Sequence, residues 1–128
     1  METNLLKITL RLNAAFSFIT GSMIIILNST IMEFIGIESS LLLLGYMLLG
    51  FSVMTILASV KQPAPKKLIW SIIVMDILWV LGSAALLIFP NPLNAAGNWT
   101  IAIIAIFVAD FAFFQYKGLT RLTTNSNT

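Results

Sequence analysis

The stretch LLLLGYMLLGFSVMTILASV, residues 41–60, contains no charged side chain. A helix needs about 20 predominantly apolar residues to cross about 30 Å of hydrocarbon, and this stretch has that length. Lipid offers no hydrogen-bond partner to a backbone N–H or C=O group, so a lone strand would be unstable there. Residues 41–60 therefore predict a membrane-spanning helix.

Three further apolar stretches of similar length accompany this one. The chain has 128 residues, of which 59% are hydrophobic and 9% charged, with a mean hydropathy of +0.98. Soluble domains carry about 25% charged residues, so this composition is typical of a protein in contact with the lipid bilayer. The spans are predicted at residues 8–27, 41–60, 68–89 and 99–116, with a polar tail at residues 122–128. We expect one all-α membrane domain, a four-helix transmembrane bundle.

The two halves of the chain share a spaced pattern of glycines. Gly21 and Gly36 in the first half are each repeated, at one common spacing, by Gly82 and Gly97 in the second. Each half would form a two-helix hairpin, and two such hairpins give a parallel repeat. The bundle is therefore also compatible with a parallel duplication of a two-helix hairpin.

The absence of two residue types limits the chemistry. The chain has no cysteine and no histidine. Zinc sites of the usual kind, bis-histidine haem and nucleophilic triads are thereby excluded. No phosphate-binding loop or nucleic-acid motif occurs either, so we predict no catalytic residue, metal, cofactor or nucleic-acid partner, and no enzymatic activity.

The basic residues indicate the orientation in the membrane. All seven fall on one side of the four predicted spans, whereas Glu33 and Glu38 lie on the other side without a lysine or arginine. The side rich in Lys and Arg is usually cytoplasmic. The sequence predicts a multi-pass protein with both termini in the cytoplasm.

Two aspartates interrupt the apolar spans: VMDILW contains Asp76 and FVADFAFF contains Asp110. At 1.5 Å per residue, counting from Lys67 and Lys117 places them about 14 Å and about 10 Å from the same membrane boundary. Asn13 lies about 9 Å from that boundary by the same count. We therefore expect these polar side chains to share one layer of the bundle.

Helical periodicity predicts which polar residues lie on the same helix face as these three side chains. Asn13 and Ser17 lie on one face of the first span, Trp79 lies beside Asp76, and Lys117 aligns with Asp110. The candidate ion- or substrate-binding residues are thus Asp76, Asp110 and Asn13, and the supporting residues are Arg11, Ser17, Trp79, Gln115 and Lys117.

Two interpretations of the aspartates remain open. An intramembrane carboxyl is a functional-site hypothesis by default, here a proton or cation site in a polar cavity open to the cytoplasm. Alternatively, Arg11 and Lys117 neutralise the carboxyl groups in structural ion pairs, an arrangement that also perturbs carboxylates.

The segments LRLNAAFSFITGSMIII, IMEFIG, LLLLGYMLLGFSVM, VMDILWVLGSAALLI and VADFAFFQYKGLTRL give the chain a family resemblance. Together they resemble a group of small four-span bacterial integral membrane proteins and, more loosely, the DoxX-like proteins. The resemblance covers nearly the whole chain and implies the four-span topology and a bacterial inner membrane. It transfers no activity to individual residues.

Three functions are compatible with these features. We predict a proton- or cation-linked transporter or channel that uses an intramembrane pair, Asp76 and Asp110. The alternative is a non-catalytic accessory or assembly subunit of a larger membrane complex, with both aspartates in ion pairs. A membrane-embedded lipid or quinone enzyme is the least supported. Four helices enclose only a narrow space, so a homo-oligomer is compatible with the first function and a larger complex with the second.

Overall fold

The computed structural model describes the backbone of residues 2–61 and 65–126, and the side chains of residues 5–61 and 65–120. Every regular element in these ranges is a helix. Four of the five helices are long and apolar enough to cross a membrane, which confirms the predicted four-helix bundle. The helices are α1 (Glu2–Ile26), α2 (Asn28–Ile35), α3 (Leu42–Val60), α4 (Lys66–Ile88) and α5 (Ala95–Ser126).

The short helix α2 lies where the first two spans are joined. It ends at Gly36, whose φ of 81° lies in the left-handed region and whose N–H donates to the Met32 carbonyl. Asn94 fastens α2 to the start of α5, because its Nδ2 donates to the Phe34 carbonyl at 3.0 Å. Its Oδ1 accepts the Gly97 N–H at 2.8 Å and so caps α5.

α5 is longer than the span predicted from hydropathy at residues 99–116. The Asn94 cap allows the helix to begin at Ala95, and no proline interrupts it before Ser126. The predicted polar tail therefore continues the helix over residues 122–126, whereas residues 127–128 lie outside the described part of the chain. Residues 62–64, between α3 and α4, also lie outside it.

The four long helices are arranged in the order α3, α1, α5, α4 around the bundle. Contacts are extensive between α1 and α3, between α1 and α5, and between α4 and α5, but sparse between α3 and α4. Gly21 and Gly45 allow a close approach of α1 to α3, because a Cβ at Gly21 would lie 2.8 Å from the Gly45 carbonyl oxygen. The bundle is therefore closed on three sides and open between α3 and α4.

One end of the bundle is sealed by an apolar cluster. We call it the basic end, because Lys7, Lys61 and Lys66 lie there, and the opposite end, near Glu33 and Glu38, the acidic end. The cluster takes residues from all four long helices and excludes water from the centre of the basic end. Its members are Leu6, Leu10, Ala58, Ile69, Ile72, Ile73 and Leu119.

Candidate functional site

Three polar side chains from three helices meet next to the apolar cluster. Asn13 of α1 donates through Nδ2 to Asp76 Oδ2 of α4 and to Gln115 Oε1 of α5, both at 2.9 Å. Gln115 Nε2 in turn donates to Asp76 Oδ2 at 2.9 Å. We call Asn13, Asp76 and Gln115 the amide–carboxyl cluster; their side chains are 1%, 4% and 0% exposed.

Helical periodicity explains why these side chains point inward. Each one lies three or four residues from an apolar residue of the core cluster: Leu10 precedes Asn13, Ile73 precedes Asp76, and Leu119 follows Gln115. Residues at these spacings share one face of a helix. The apolar cluster therefore fixes the helix rotations that bring the three polar side chains together.

The negative charge of Asp76 has no basic partner in the described part of the chain. Its Oδ2 accepts both amide hydrogen bonds, while its Oδ1 accepts none from any residue whose side chain is described. A carboxylate in a low-dielectric interior is costly unless a charge or hydrogen bonds compensate it. Two amide dipoles compensate only one oxygen, so a proton or a cation at the other oxygen would complete the site.

A narrow cavity adjoins Asp76 on the side facing the acidic end. Its volume is about 120 Å³, and Asn13, Ser17 and Thr20 of α1 line it together with Asp76. Ser17 lines the same cavity, and its hydroxyl donates to no residue in the described ranges. The cavity thus presents an unpaired carboxyl oxygen and an unpaired hydroxyl to whatever enters it.

A second, larger cavity continues the narrow one towards the acidic end. It has a volume of about 1180 Å³ and lies in the gap between α3 and α4, below α2. The two cavities form one cleft, because six residues line both: Phe16, Thr20, Leu44, Leu48, Trp79 and Ile104.

Two features of this cleft bear on ligand binding. Glu38 at the acidic end and Asp76 at its inner end are the charged residues among those that line it. The Trp79 ring lies where the two cavities join. Its Nε1 is the one buried side-chain nitrogen or oxygen, in the part of the chain described, that has no hydrogen-bond partner.

The structure does not bring the two aspartates together. Asp110 is exposed on the outer face of α5, while the buried face of that helix carries Val108, Ala112 and Gln115. The expectation that Asp110 shares a layer with Asp76 and Asn13 is therefore wrong. Asp76 lies with Asn13 and Gln115, and Asp110 lies apart from them.

The predicted ion pairs are also not formed. Arg11 is exposed on α1, and Lys117 lies with its Nζ 6.0 Å from the centre of the Phe113 ring. Neither basic group contacts an aspartate among the described side chains. Of the supporting residues, Gln115 contacts Asp76 directly, and Ser17 and Trp79 line the cleft.

The direction of access differs from the sequence-based expectation. A polar cavity open towards the basic residues was expected, but the apolar cluster separates Asp76 from the basic end. The cleft reaches Asp76 from the acidic end instead. Hydropathy could not predict this, because the cluster and the cleft walls are built from the same aliphatic residue types.

Sequence reasoning gave Gln115 only a supporting role, although Gln115 donates to Asp76 and accepts from Asn13. Counting inward from Lys117 predicts a position for Gln115 nearer the membrane boundary than that of Asp76. Lys117 is a poor starting point for this count, because α5 continues as a helix through Ser126.

No protein-family model, no curated protein and no solved structure matches this chain. The resemblance to the DoxX-like proteins stays a prediction, and the geometry of the cleft carries the functional argument.

Proposed function

We propose that this protein is a small proton-linked membrane transporter in which Asp76 is the proton-exchanging group. The observation that carries the proposal is the position of Asp76. It is buried, has no basic partner in the described part of the chain, and lines the inner end of a continuous cleft. Asp110 has no part in the exchange, so the single carboxyl replaces the aspartate pair expected from the sequence.

The amide–carboxyl cluster supports this role through its hydrogen bonds. Asn13 and Gln115 hold Asp76 Oδ2 in one position and leave Oδ1 to the cavity. Oδ1 can therefore carry a proton when the cavity holds no cation, and release it when a cation binds. The carboxyl remains compensated in both states, which lowers the cost of its burial.

Transport also requires an exit. The apolar cluster around Leu10, Ile73 and Leu119 closes the path towards the basic end. A transport cycle would separate these residues while the gap between α3 and α4 closes, so that Asp76 faces one side at a time. The cleft that reaches Asp76 from the acidic end supports one of these two states.

The charge distribution supports a location and an orientation. All seven basic residues lie towards one end of the four spans, and Glu33 and Glu38 lie towards the other. By the positive-inside rule, we propose that the basic end and both termini face the cytoplasm of a bacterial inner membrane. The cleft would then open on the side opposite the cytoplasm.

The proposal is tested by proton movement in reconstituted vesicles. Vesicles with an acidic lumen and a trapped pH indicator are challenged with amphipathic compounds of three classes: organic cations, neutral compounds and organic anions. We expect at least one class to release protons from vesicles that contain the wild-type protein. Asp76→Asn should reduce this release about tenfold or more, the loss expected when a proton carrier is removed.

Asp110→Asn is the matched control, since it makes the same chemical change on an exposed face. It should release protons at the wild-type rate. Proton release that is equal in Asp76→Asn and wild-type vesicles, or absent for all three classes, would exclude the proposed function.

One observation favours the second candidate, an accessory subunit of a larger membrane complex. Asp110 is exposed within a membrane-spanning helix, between the exposed aromatic residues Phe107 and Phe113. Charged residues in spanning segments usually face protein or water rather than lipid. If a partner protein covers this face, Asp110→Leu should abolish its co-purification with the protein, whereas Asp76→Asn should not.

A further inference from the structure

Resting on the proposed function, we infer that the cleft binds protonated amphipathic amines, with the ammonium head at Asp76 and the apolar tail between α3 and α4. The cleft joins a polar inner end to an apolar outer part, and its shape and charge together define this class of molecule.

The charge of the cleft selects a cation. Among the residues whose side chains are described, Asp76 at the inner end and Glu38 near the acidic end are its charged lining residues, and no lysine or arginine lines either cavity. An organic anion would place a second negative charge beside Asp76 in a low-dielectric site, which is unfavourable. A cation entering from the acidic end meets a carboxylate at both ends of its path.

The inner end selects a head group with N–H donors. The narrow cavity of about 120 Å³ is lined by four side chains that carry an oxygen acceptor: Asn13, Ser17, Thr20 and Asp76. A primary ammonium group has three N–H donors, which such acceptors can pair. A quaternary ammonium group has none and is bulkier, so it would leave the acceptors unpaired.

The exchange of charge is balanced at this site. The ammonium head brings one positive charge to Asp76 Oδ1, and the carboxyl group releases one proton. Trp79, at the junction of the two cavities, lies where its ring can contact the cationic head as it passes. One cation is therefore exchanged for one proton, and the net charge of the cluster is unchanged.

The outer part selects an apolar tail. The larger cavity of about 1180 Å³ is lined mainly by aliphatic and aromatic side chains, among them Met23, Leu48 and Leu86. Alkyl chains and aromatic rings fit such a surface, and their burial is favourable. The sparse contact between α3 and α4 leaves room for a tail to lie between them.

A cysteine-protection experiment tests this inference without measuring transport. The chain has no cysteine, so Ser83→Cys introduces a single thiol into the lining of the larger cavity. The rate at which N-ethylmaleimide labels this thiol is measured in phosphatidylcholine nanodiscs at increasing concentrations of dodecylamine. Dodecanol, dodecanoate and dodecyltrimethylammonium are compared, because they carry the same tail on different heads.

We expect dodecylamine to protect the thiol at concentrations about tenfold or more below those of the other three compounds, as a charge-assisted hydrogen bond would give. Adding Asp76→Asn to the Ser83→Cys variant should remove this advantage. Adding Asp110→Asn should leave it unchanged, which controls for partitioning of the amine into the lipid.

Equal protection by dodecanol and dodecylamine would identify a site for alkyl or lipid tails only and would overturn the inference. So would an unchanged advantage in the Asp76→Asn variant, or a thiol that dodecylamine does not protect. The two proposals can fail separately. Proton release driven only by neutral or anionic compounds would support the transporter and overturn the binding of amines. Protection of the thiol by dodecylamine without proton release would support the binding of amines and overturn the transporter.

Discussion

Asp76 and Asp110 are the same residue type in two neighbouring membrane-spanning helices, yet they lie in opposite surroundings. Asp76 is 4% exposed and accepts hydrogen bonds from Asn13 and Gln115, whereas Asp110 is exposed on the outer face of α5. The presence of an aspartate in a membrane-spanning helix therefore does not determine its role. The face of the helix on which it lies decides whether it can belong to a polar cluster.

The largest expected difference concerns stability. Asn13→Leu removes both bonds donated by Asn13 Nδ2 and leaves Gln115 Oε1 buried without its partner. We expect a loss of about 3 kcal/mol in the free energy of unfolding, because buried polar groups without partners are costly. Asp110→Leu should change it by less than about 0.5 kcal/mol, as exposed substitutions usually do.

Both values are measured by unfolding in mixed micelles at increasing concentrations of a denaturing detergent. A loss for Asp110→Leu as large as that for Asn13→Leu would mean that the face of Asp110 is also part of a packed structure. The contrast between the two aspartates would then disappear.

A smaller effect is expected where two helices are in close contact. A Cβ at Gly45 would lie 2.7 Å from Ile25 Cγ1, whereas a Cβ at Gly50, on the same helix, has no atom within 4 Å. Gly45→Ala should therefore destabilise the bundle by about 2 kcal/mol through overpacking. Gly50→Ala should be neutral or stabilise it by up to about 1 kcal/mol, since alanine favours a helix.

The same unfolding measurement compares the two glycine variants. This comparison tests whether buried and exposed positions differ for glycines in helix contacts, as they do for the two aspartates. A Gly45→Ala variant as stable as Gly50→Ala would contradict the close packing of α1 against α3.

The smallest expected effect is a coupling free energy. Asn13→Ala and Gln115→Ala should be coupled by about 1 kcal/mol in a double-mutant cycle, because each residue hydrogen-bonds to the other and to Asp76. Asp110 and Gln115 lie five residues apart on the same helix. The effects of Asp110→Ala and Gln115→Ala on the free energy of unfolding should therefore be additive within about 0.5 kcal/mol. Coupling of Asp110 to Gln115 would place Asp110 in the cluster.

Part of this arrangement could be predicted from the sequence. Hydropathy predicted four membrane-spanning helices, and counting residues from the basic ends predicted a common layer for Asn13 and Asp76. Both depend on length and composition, which a single sequence contains. The contact between Asn13 and Asp76 follows from that layer once the two helices face each other.

The position of Asp110 could not be predicted in the same way. α5 carries small or polar residues on two faces, one with Asp110 and Lys117 and one with Ala105, Ala112 and Gln115. A helical wheel does not distinguish between two such faces, because the choice depends on which helices pack beside them. The contacts of Gly118 with Leu6 and of Phe111 with Phe16 determine the rotation of α5, and both are contacts with α1.

The sparse contact between α3 and α4 has a consequence for how a ligand would arrive. The gap between these helices faces the hydrocarbon of the membrane, so an amphiphile already dissolved in the bilayer can enter sideways without returning to water. Each buried CH₂ group contributes about 0.8 kcal/mol to membrane partitioning, so a twelve-carbon chain is strongly concentrated in the lipid. The cleft would then need only a weak intrinsic affinity for such an amphiphile. Asp76 would serve mainly to select among molecules that are already concentrated in the bilayer.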